Sequence, residues 1–342
     1  MKLQRLHIKN FKSIVDLEIV EPNPFTVFVG PNGSGKSNIF EALELAGLML
    51  KIDKDSYVFF KELSGEVRNR KAIEDYETIS RQIQDQPLFV PINFPYPDTY
   101  IKFSYSNYAN KNINLFKGIT SNFEKDSDYM SNRDFSIIYH LNRVFVGNIK
   151  SEKIPLKGDS ILSSSASNLE KVLKRILLDE TKREEIKEWL DLFIPGFENI
   201  EIVSSDLSGT DTLVMYEKGM KKPFTKDLLS DGTYNILALL TAVYQSDEPQ
   251  FLCIEEPENG LNPYVIAKLV DLFRAACEEK GHWIWLNTHS NTLVECLTPE
   301  EVIIVDKIDG ETKIKQIKGM NLHGLSMAEV WLSGALGGGT PW

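Results

Sequence analysis

The sequence predicts an α/β fold, with a mixed central sheet and flanking helices, and three stretches carry that prediction. Phe25–Val29 is a short apolar run that leads into Gly30-Pro31-Asn32-Gly33-Ser34-Gly35-Lys36-Ser37. A helical pattern with Ile39, Phe40, Leu43, Ala46 and Leu50 on one side follows at once. Gln250–Ile254 reads as a fully buried strand ending in Glu255-Glu256-Pro257-Glu258, and His282–Asn287 as another ending in Thr288-His289-Ser290. Short apolar runs alternating with helical periodicities are the pattern of strands buried between helices.

Taken in order, Leu3–Lys9 and Ile14–Val20 alternate apolar and polar residues, as half-buried strands do, with Asn10–Ser13 as the turn between them. Glu21-Pro22-Asn23-Pro24 punctuates before the third strand. Lys61–Ile83 is dense in charge and could form a solvated helix, whereas Gln86–Pro97 carries four prolines and reads as loop. Thr99–Tyr105 and Asn142–Ile149 are strand-like, separated by the polar stretch Ser106–Arg133, which reads as a mobile loop. Ser167–Phe193 has strong helical periodicity through Leu169, Val172, Leu173, Ile176, Leu177, Ile186, Trp189, Leu190 and Phe193, ended by Pro195-Gly196. Strands at Glu198–Val203 and Thr212–Tyr216 precede a helix over Asp231–Tyr244. Asn262–Lys280 is helical and closed by Gly281; strands at Val302–Asp306 and Thr312–Ile317 come last, before a Gly-rich tail. In that tail Met327, Val330, Trp331 and Ala335 could line one helical face, packing on the sheet or offering a docking site to a partner.

Strand, G-x-x-x-x-G-K-S and helix form the P-loop arrangement, which implies nucleotide binding. Its glycines let the backbone curl until successive N–H groups face phosphate oxygens, and the helix N-terminus adds its dipole. The cradle would run over Asn32, Gly33, Ser34, Gly35, Lys36, Ser37 and Asn38, with Lys36 reaching the β- and γ-phosphates of ATP and Ser37 ligating Mg²⁺. An apolar strand delivering paired acids at its end is the Walker B arrangement; Glu255 would hold the metal and Glu256 act as general base. Ser230 or Asp231 is placed to cap the helix over Asp231–Tyr244. His289, at the C-terminal end of a parallel strand, is placed to meet a γ-phosphate.

Bulk composition narrows the class. At 342 residues, 42% hydrophobic and 25% charged, the chain can bury a sizeable core as one large domain with an insertion or as two domains. A net charge of −11 argues against nucleic-acid binding through overall charge, so DNA would need a local basic patch. Cys253, Cys277 and Cys296 make no metal or disulfide spacing, which suggests a reducing compartment. The charged first residues do not read as a signal peptide, and no apolar run approaches the roughly 18 residues of a membrane span. The expectation is a cytoplasmic protein without a membrane partner.

The motifs together resemble the ABC-type ATPases of the SMC/RecF/OLD class, particularly small bacterial members akin to the ATPase subunit of two-gene anti-phage defence systems. The matching pieces are I-K-N-F-K-S-I (8–14), G-P-N-G-S-G-K-S-N (30–38), S-N-L-E-K-V-L (167–173), L-S-D-G-T (229–233), I-E-E-P-E-N-G-L-N-P (254–263) and T-H-S (288–290), in family order across nearly the whole chain. The resemblance implies an ABC-type P-loop NTPase with an antiparallel N-terminal β subdomain and a helical insertion. It makes Ser230, Asp231 and Gly232 the signature motif, contacting the γ-phosphate across a head-to-tail dimer. Glu258–Asn262 becomes the D-loop region, His289 the switch histidine, and Lys12 and Ser13 neighbours of the nucleotide. Glu255 stands where Asp is more usual, and Gln82, Gln84 and Gln86 are rival candidates for the Q-loop glutamine. Neither a long coiled coil nor a TOPRIM nuclease domain after His289 is expected.

The chain divides on this reading into an N-terminal β lobe with the P-loop and first helix (1–50), an insertion and helical lobe (51–197), a signature, Walker B and switch-histidine lobe (198–318) and a tail (319–342). The expected function is an ATP-hydrolysing homodimer, or higher homo-oligomer, that senses a trigger and controls a separately encoded effector, with a TOPRIM-type nuclease as the candidate. A RecF-like DNA-repair ATPase binding DNA directly, or an ATP-bound scaffold with little turnover, are the alternatives.

Overall fold

The computed structural model describes residues 2–51, 100–106, 112–118, 141–145, 160–204, 210–334 and 336–337. In chain order these form β1 (Lys2–Phe11), β2 (Ile14–Val20), β3 (Phe25–Val29), α1 (Lys36–Lys51), β4 (Tyr100–Ser106), β5 (Asn112–Gly118) and β6 (Leu141–Phe145). Next come α2 (Leu169–Ile176), α3 (Glu180–Phe193), β7 (Phe197–Ser204), β8 (Asp211–Glu217), β9 (Phe224–Thr225), a 3-10 turn (Lys226–Leu228) and α4 (Asp231–Tyr244). The last group is β10 (Phe251–Glu255), α5 (Pro263–Glu279), β11 (Trp283–Thr288), α6 (Asn291–Glu295), β12 (Val302–Ile308), β13 (Glu311–Gln316) and α7 (Met327–Leu332).

A six-stranded mixed sheet of order β13-β12-β3-β11-β10-β6 lies at the centre. Its strands are parallel except β13, which pairs antiparallel with β12 at the edge. Strands β3, β10 and β11 are buried at every position, the signature of a parallel sheet covered on both faces. One face packs on α1: Phe28 meets Phe40 edge-on at 5.5 Å between ring centroids, and Trp285 lies 5.3 Å from Phe28 and 4.9 Å from Phe251. The other face carries a core shared by α2, α3, α4 and α5. Helix α4 is buried from Tyr234 through Tyr244, which explains its nearly all-apolar sequence.

A second, antiparallel sheet of order β2-β1-β4-β5 carries the N-terminus. It is tied to the central sheet where Gln316 on β13 accepts from the Val20 N–H at 2.9 Å and donates to the Val20 carbonyl at 2.8 Å. A third sheet, β7-β8-β9, stands beside α2 and α3. The arrangement is the mixed α/β fold, with an antiparallel N-terminal sheet, that the sequence predicts.

Several local expectations change. The turn expected over Asn10–Ser13 shrinks, because Phe11 is buried and pairs with Ile14, leaving only Lys12 and Ser13 to reverse the chain; Lys12 takes φ 50°. The polar stretch expected as loop over Ser106–Arg133 contains β5, whose backbone ladder runs from Ser106↔Asn112 to Tyr100↔Gly118. The helical periodicity over Ser167–Phe193 is two helices, separated because the Asp179 carboxylate accepts from the Thr181 and Lys182 N–H groups and starts a new one. The expected helix over Lys61–Ile83, the loop over Gln86–Pro97, the Q-loop candidates and Ala335 lie outside the described residues. In the tail, Met327, Val330 and Trp331 are buried in the main core, and Ser326 with Glu329 forms a reciprocal cap on α7. Among the described residues no helix is long and apolar enough to cross a membrane.

Candidate active site

Parallel strands put their C-terminal ends on one edge, and here those ends carry the motif residues. Thr288 stands opposite Val29, Glu255 opposite Asn287 and Ile304 opposite Val29. The loop Gly30–Gly35, the acids Glu255 and Glu256, and Thr288-His289 therefore issue from adjacent strands.

Lys36 opens α1, and its ammonium donates to the Gly30 carbonyl at 2.7 Å and the Pro31 carbonyl at 2.9 Å. Burial pulls the Lys36 pKa below the ordinary lysine value, and the carboxylates of Glu256, Glu255 and Glu258 oppose that pull. The Ser37 hydroxyl donates to Glu255 Oε2 at 2.7 Å, joining the start of α1 to the end of β10. Ser34 is 1% exposed, and its Oγ has no hydrogen-bond partner among the described residues. An orphaned buried hydroxyl is unfavourable unless something completes it. A phosphate oxygen would do so, and the site fits a nucleotide by that test. The Ser37 hydroxyl and the Glu255 carboxylate, 2.7 Å apart, also suit Mg²⁺, which takes few protein ligands beside substrate phosphates.

Glu256 occupies φ 46°, a left-handed conformation that a glutamate adopts only when its surroundings impose it. Its N–H donates to the Asn287 carbonyl at 3.0 Å and to Asn287 Oδ1 at 3.2 Å. Its carboxylate meets His289 Nδ1 at 3.2 Å through Oε1 and accepts from Asn259 Nδ2 at 3.1 Å through Oε2. Glu256 and His289 are thus neighbours, both partly exposed, while Glu255 is buried.

Ser13 and Asn38 meet beside the loop: Asn38 Nδ2 donates to Ser13 Oγ at 2.6 Å. Lys12 instead pairs with Glu41 on α1. Asn32 and Gly33 are exposed at the loop's tip. Ser230 caps α4, accepting from the Thr233 N–H at 3.1 Å, and is exposed. Gly232 packs on the carbonyl of Gly260, which would lie 2.4 Å from an added Cβ. Asn235 Nδ2 donates to the Asn259 carbonyl at 2.9 Å, so the start of α4 is fastened to the loop that follows Glu256.

Three participants escape the sequence reading. Thr312, 1% exposed on β13, shares a 2.6 Å hydrogen bond with Ser13 Oγ, donates from its hydroxyl to the Ser34 carbonyl at 3.0 Å and donates its N–H to the Ser13 carbonyl at 2.8 Å. Nothing in Glu311–Gln316 marks this threonine, because its partners are far away in the chain. Glu41 looks like an ordinary surface residue, whereas Asn259 falls within the stretch Glu258–Asn262 that the resemblance marks. Asn287 carried a signal: it is an amide closing an otherwise apolar strand next to Thr288-His289.

Thr312 also explains Gly35, which has φ 100° and whose added Cβ would lie 1.9 Å from Thr312 Oγ1. Gly35→Ala should lower unfolding stability by about 1–3 kcal/mol through overpacking and backbone strain together. Gly33, at φ 78° with nothing within 4 Å of its Cβ position, carries strain alone, so Gly33→Ala should cost less in the same denaturant titration. Equal losses at the two positions would remove Thr312 from its role.

Fold and site together define an ABC-type ATPase domain of the SMC/RecF class. Residues 25–295 match the family described as "AAA domain, putative AbiEii toxin, Type IV TA system", and the chain belongs to that family. Over 41 residues it is 54% identical to the chromosome partition protein Smc of Methanocaldococcus jannaschii, covering 12% of this chain and 4% of that protein. Over 81 residues it is 36% identical to the DNA replication and repair protein RecF of Acaryochloris marina, covering 24% of this chain and 18% of that protein. Among solved structures, the Smc head bound to the C-winged helix domain of ScpA superposes with a TM-score of 0.57 at 14% identity, over 95% of this chain and 100% of that one. An Smc head with an extended coiled coil, bound to the C-terminal domain of ScpA derived from Pyrococcus furiosus, gives 0.52 at 14% identity, over 92% and 96%. These structures share the fold.

Proposed function

We propose that the protein binds and hydrolyses ATP with Mg²⁺ as a head-to-tail dimer, and that this cycle controls a separately encoded effector, a TOPRIM-type nuclease, in bacterial anti-phage defence. The observation that carries the reading is the 2.7 Å bond between Ser37 and Glu255, which joins P-loop and Walker B oxygens in one place, with Glu256 and His289 in contact beside it. In this account the loop from Asn32 to Asn38, with Lys36, holds the phosphates, and Ser37 and Glu255 hold Mg²⁺, which when bound neutralises phosphate charge. Glu256 takes the proton of the attacking water, and His289 lies across the same carboxylate, facing the γ-phosphate. Lys12 and Ser13 border the site, Lys12 through Glu41 and Ser13 through Asn38.

Ser230, Asp231 and Gly232 serve the partner's nucleotide. The exposure of Ser230, and its bond to Thr233 on its own helix, support a role directed out of the protomer. The family description, with its putative toxin, supports an output that falls on another component of the cell. The stretch of likeness to RecF favours a second reading, in which DNA is the partner. A DNA affinity that falls steeply with salt would identify it.

Ser230→Arg tests the composite site. Nucleotide affinity of the isolated protomer should stay near that of the unmodified protein, while turnover falls about a hundredfold, because a bulky cation at the signature blocks closure on the partner. A steady-state ATPase assay beside a fluorescent-nucleotide titration reads both. Unchanged turnover would remove Ser230 from the site.

A further inference from the structure

The loop after Glu256 holds a buried carboxylate to which the proposed chemistry gives no task. Glu258 is 8% exposed. Its Oε1 accepts a short hydrogen bond from Thr288 Oγ1, and its Oε2 has no hydrogen-bond partner among the described residues. Burial raises its pKa despite the Thr288 bond. An acid kept in such a place is unfavourable in itself, so its contact with Thr288 is the feature to explain.

Thr288 is fully buried at the end of β11, and its Oγ1 also accepts from the Ser290 N–H at 2.9 Å. That one hydroxyl therefore brackets His289 and binds Glu258. On the other side, the Glu258 carbonyl accepts from the Leu261 N–H at 3.0 Å, closing the turn that sets Gly260 on Gly232 and the Asn259 carbonyl on Asn235. The loop is thereby fixed to β11 at two points: Glu256 N–H on Asn287, and Glu258 on Thr288. A residue at φ 46° is retained only where its neighbours over-determine it, and without Glu258 the loop would keep one of its two bonds to β11.

We propose that Glu258 is a positioning residue: through Thr288 it clamps the loop bearing Glu256 to the strand end bearing His289, and so fixes those two side chains against each other and against the start of α4. The proposal rests on the reading of Glu256 as general base, because a clamp on that residue acts on the hydrolytic step and leaves nucleotide binding alone. Displacement of a catalytic group by about 1 Å costs on the order of a hundredfold in rate.

The test uses the full chain with Glu258→Ala, Glu258→Gln, Thr288→Val and the Glu258→Ala/Thr288→Val double variant. Single-turnover hydrolysis of Mg·ATP should fall about tenfold to a hundredfold in Glu258→Ala and in Thr288→Val, with nucleotide Kd within about twofold of the unmodified protein. The double variant should be no slower than the slower single one, because both remove the same bond. Glu258→Gln keeps an oxygen that accepts from Thr288 and should return to within about threefold of full rate. Amide hydrogen exchange should quicken together at 256–261 and 288–290 in Glu258→Ala, and stay unchanged at 30–38.

Additive losses, a Glu258→Gln variant as slow as Glu258→Ala, or unchanged exchange at 288–290 would overturn the clamp. If the unmodified protein hydrolyses no ATP, the ATPase reading fails, and the exchange comparison alone decides the clamp.

Discussion

Glu256→Gln should retain nucleotide binding and lose turnover by a factor of about 10² to 10⁴, the range over which a positioned general base contributes. The amide fills the same space and can still meet Asn259 and His289, which hold the carboxylate at 3.1 and 3.2 Å, yet it cannot take a proton from water. ATP would then persist in the closed state, and the dimer should accumulate with ATP as it does not in the unmodified protein. Size-exclusion chromatography with light scattering, run beside a phosphate-release assay, reads both effects. Glu255→Gln separates the two acids. Glu255 is buried against Ser37, so its amide variant should bind Mg²⁺ more weakly and need a higher Mg²⁺ concentration for the same turnover. If Glu255→Gln keeps binding and traps the dimer while Glu256→Gln does not, the two roles are exchanged.

Lys36→Ala should weaken ATP binding by about tenfold to a hundredfold, since charged hydrogen bonds contribute roughly 1.5–3 kcal/mol. Two effects combine. The ammonium that would face the β- and γ-phosphates is gone, and the loop loses the bonds to the Gly30 and Pro31 carbonyls that gather it around the side chain. Glu256 and Glu255, whose charges oppose the lowering of the Lys36 pKa, would be left without that cation and would repel the phosphates. Equilibrium titration with a fluorescent ATP analogue measures the change. Affinity equal to that of the unmodified protein would refute the placement of nucleotide in this loop.

The parts of the fold legible in the sequence are those whose signal is local. Phe25–Val29, the α4 helix over Asp231–Tyr244 and the strand ending at Glu255 each carry an apolar run or period and a stop, and the structure reproduces them within a residue or so. The paired acids and Thr288-His289 could be aligned at one edge because parallel strands deliver their C-terminal ends together. Break points were less legible. Asp179 divides one helical period into two helices through bonds to two amides, a choice the apolar positions do not register. Strand β5 was hidden because its short alternation, Ile113 and Leu115 against Asn112 and Asn114, lies inside a longer stretch rich in Asn, Ser and Asp, and its ladder with β4 decides it. Thr312 was invisible for a third reason: it acts on Ser13 and Ser34 from the far end of the chain, through a pairing that only the closed fold creates.

The most direct test of the head-to-tail account mixes Ser230→Arg protein with Lys36→Ala protein, each inactive alone. If the signature of one chain completes the P-loop site of the other, every heterodimer holds one site with both defects and one with neither. A single-turnover experiment should then recover hydrolysis in proportion to the heterodimer present, read by native mass spectrometry on the same sample. If heterodimers form and hydrolysis stays at the level of the separate variants, each chain's signature serves its own P-loop, and the composite dimer is wrong.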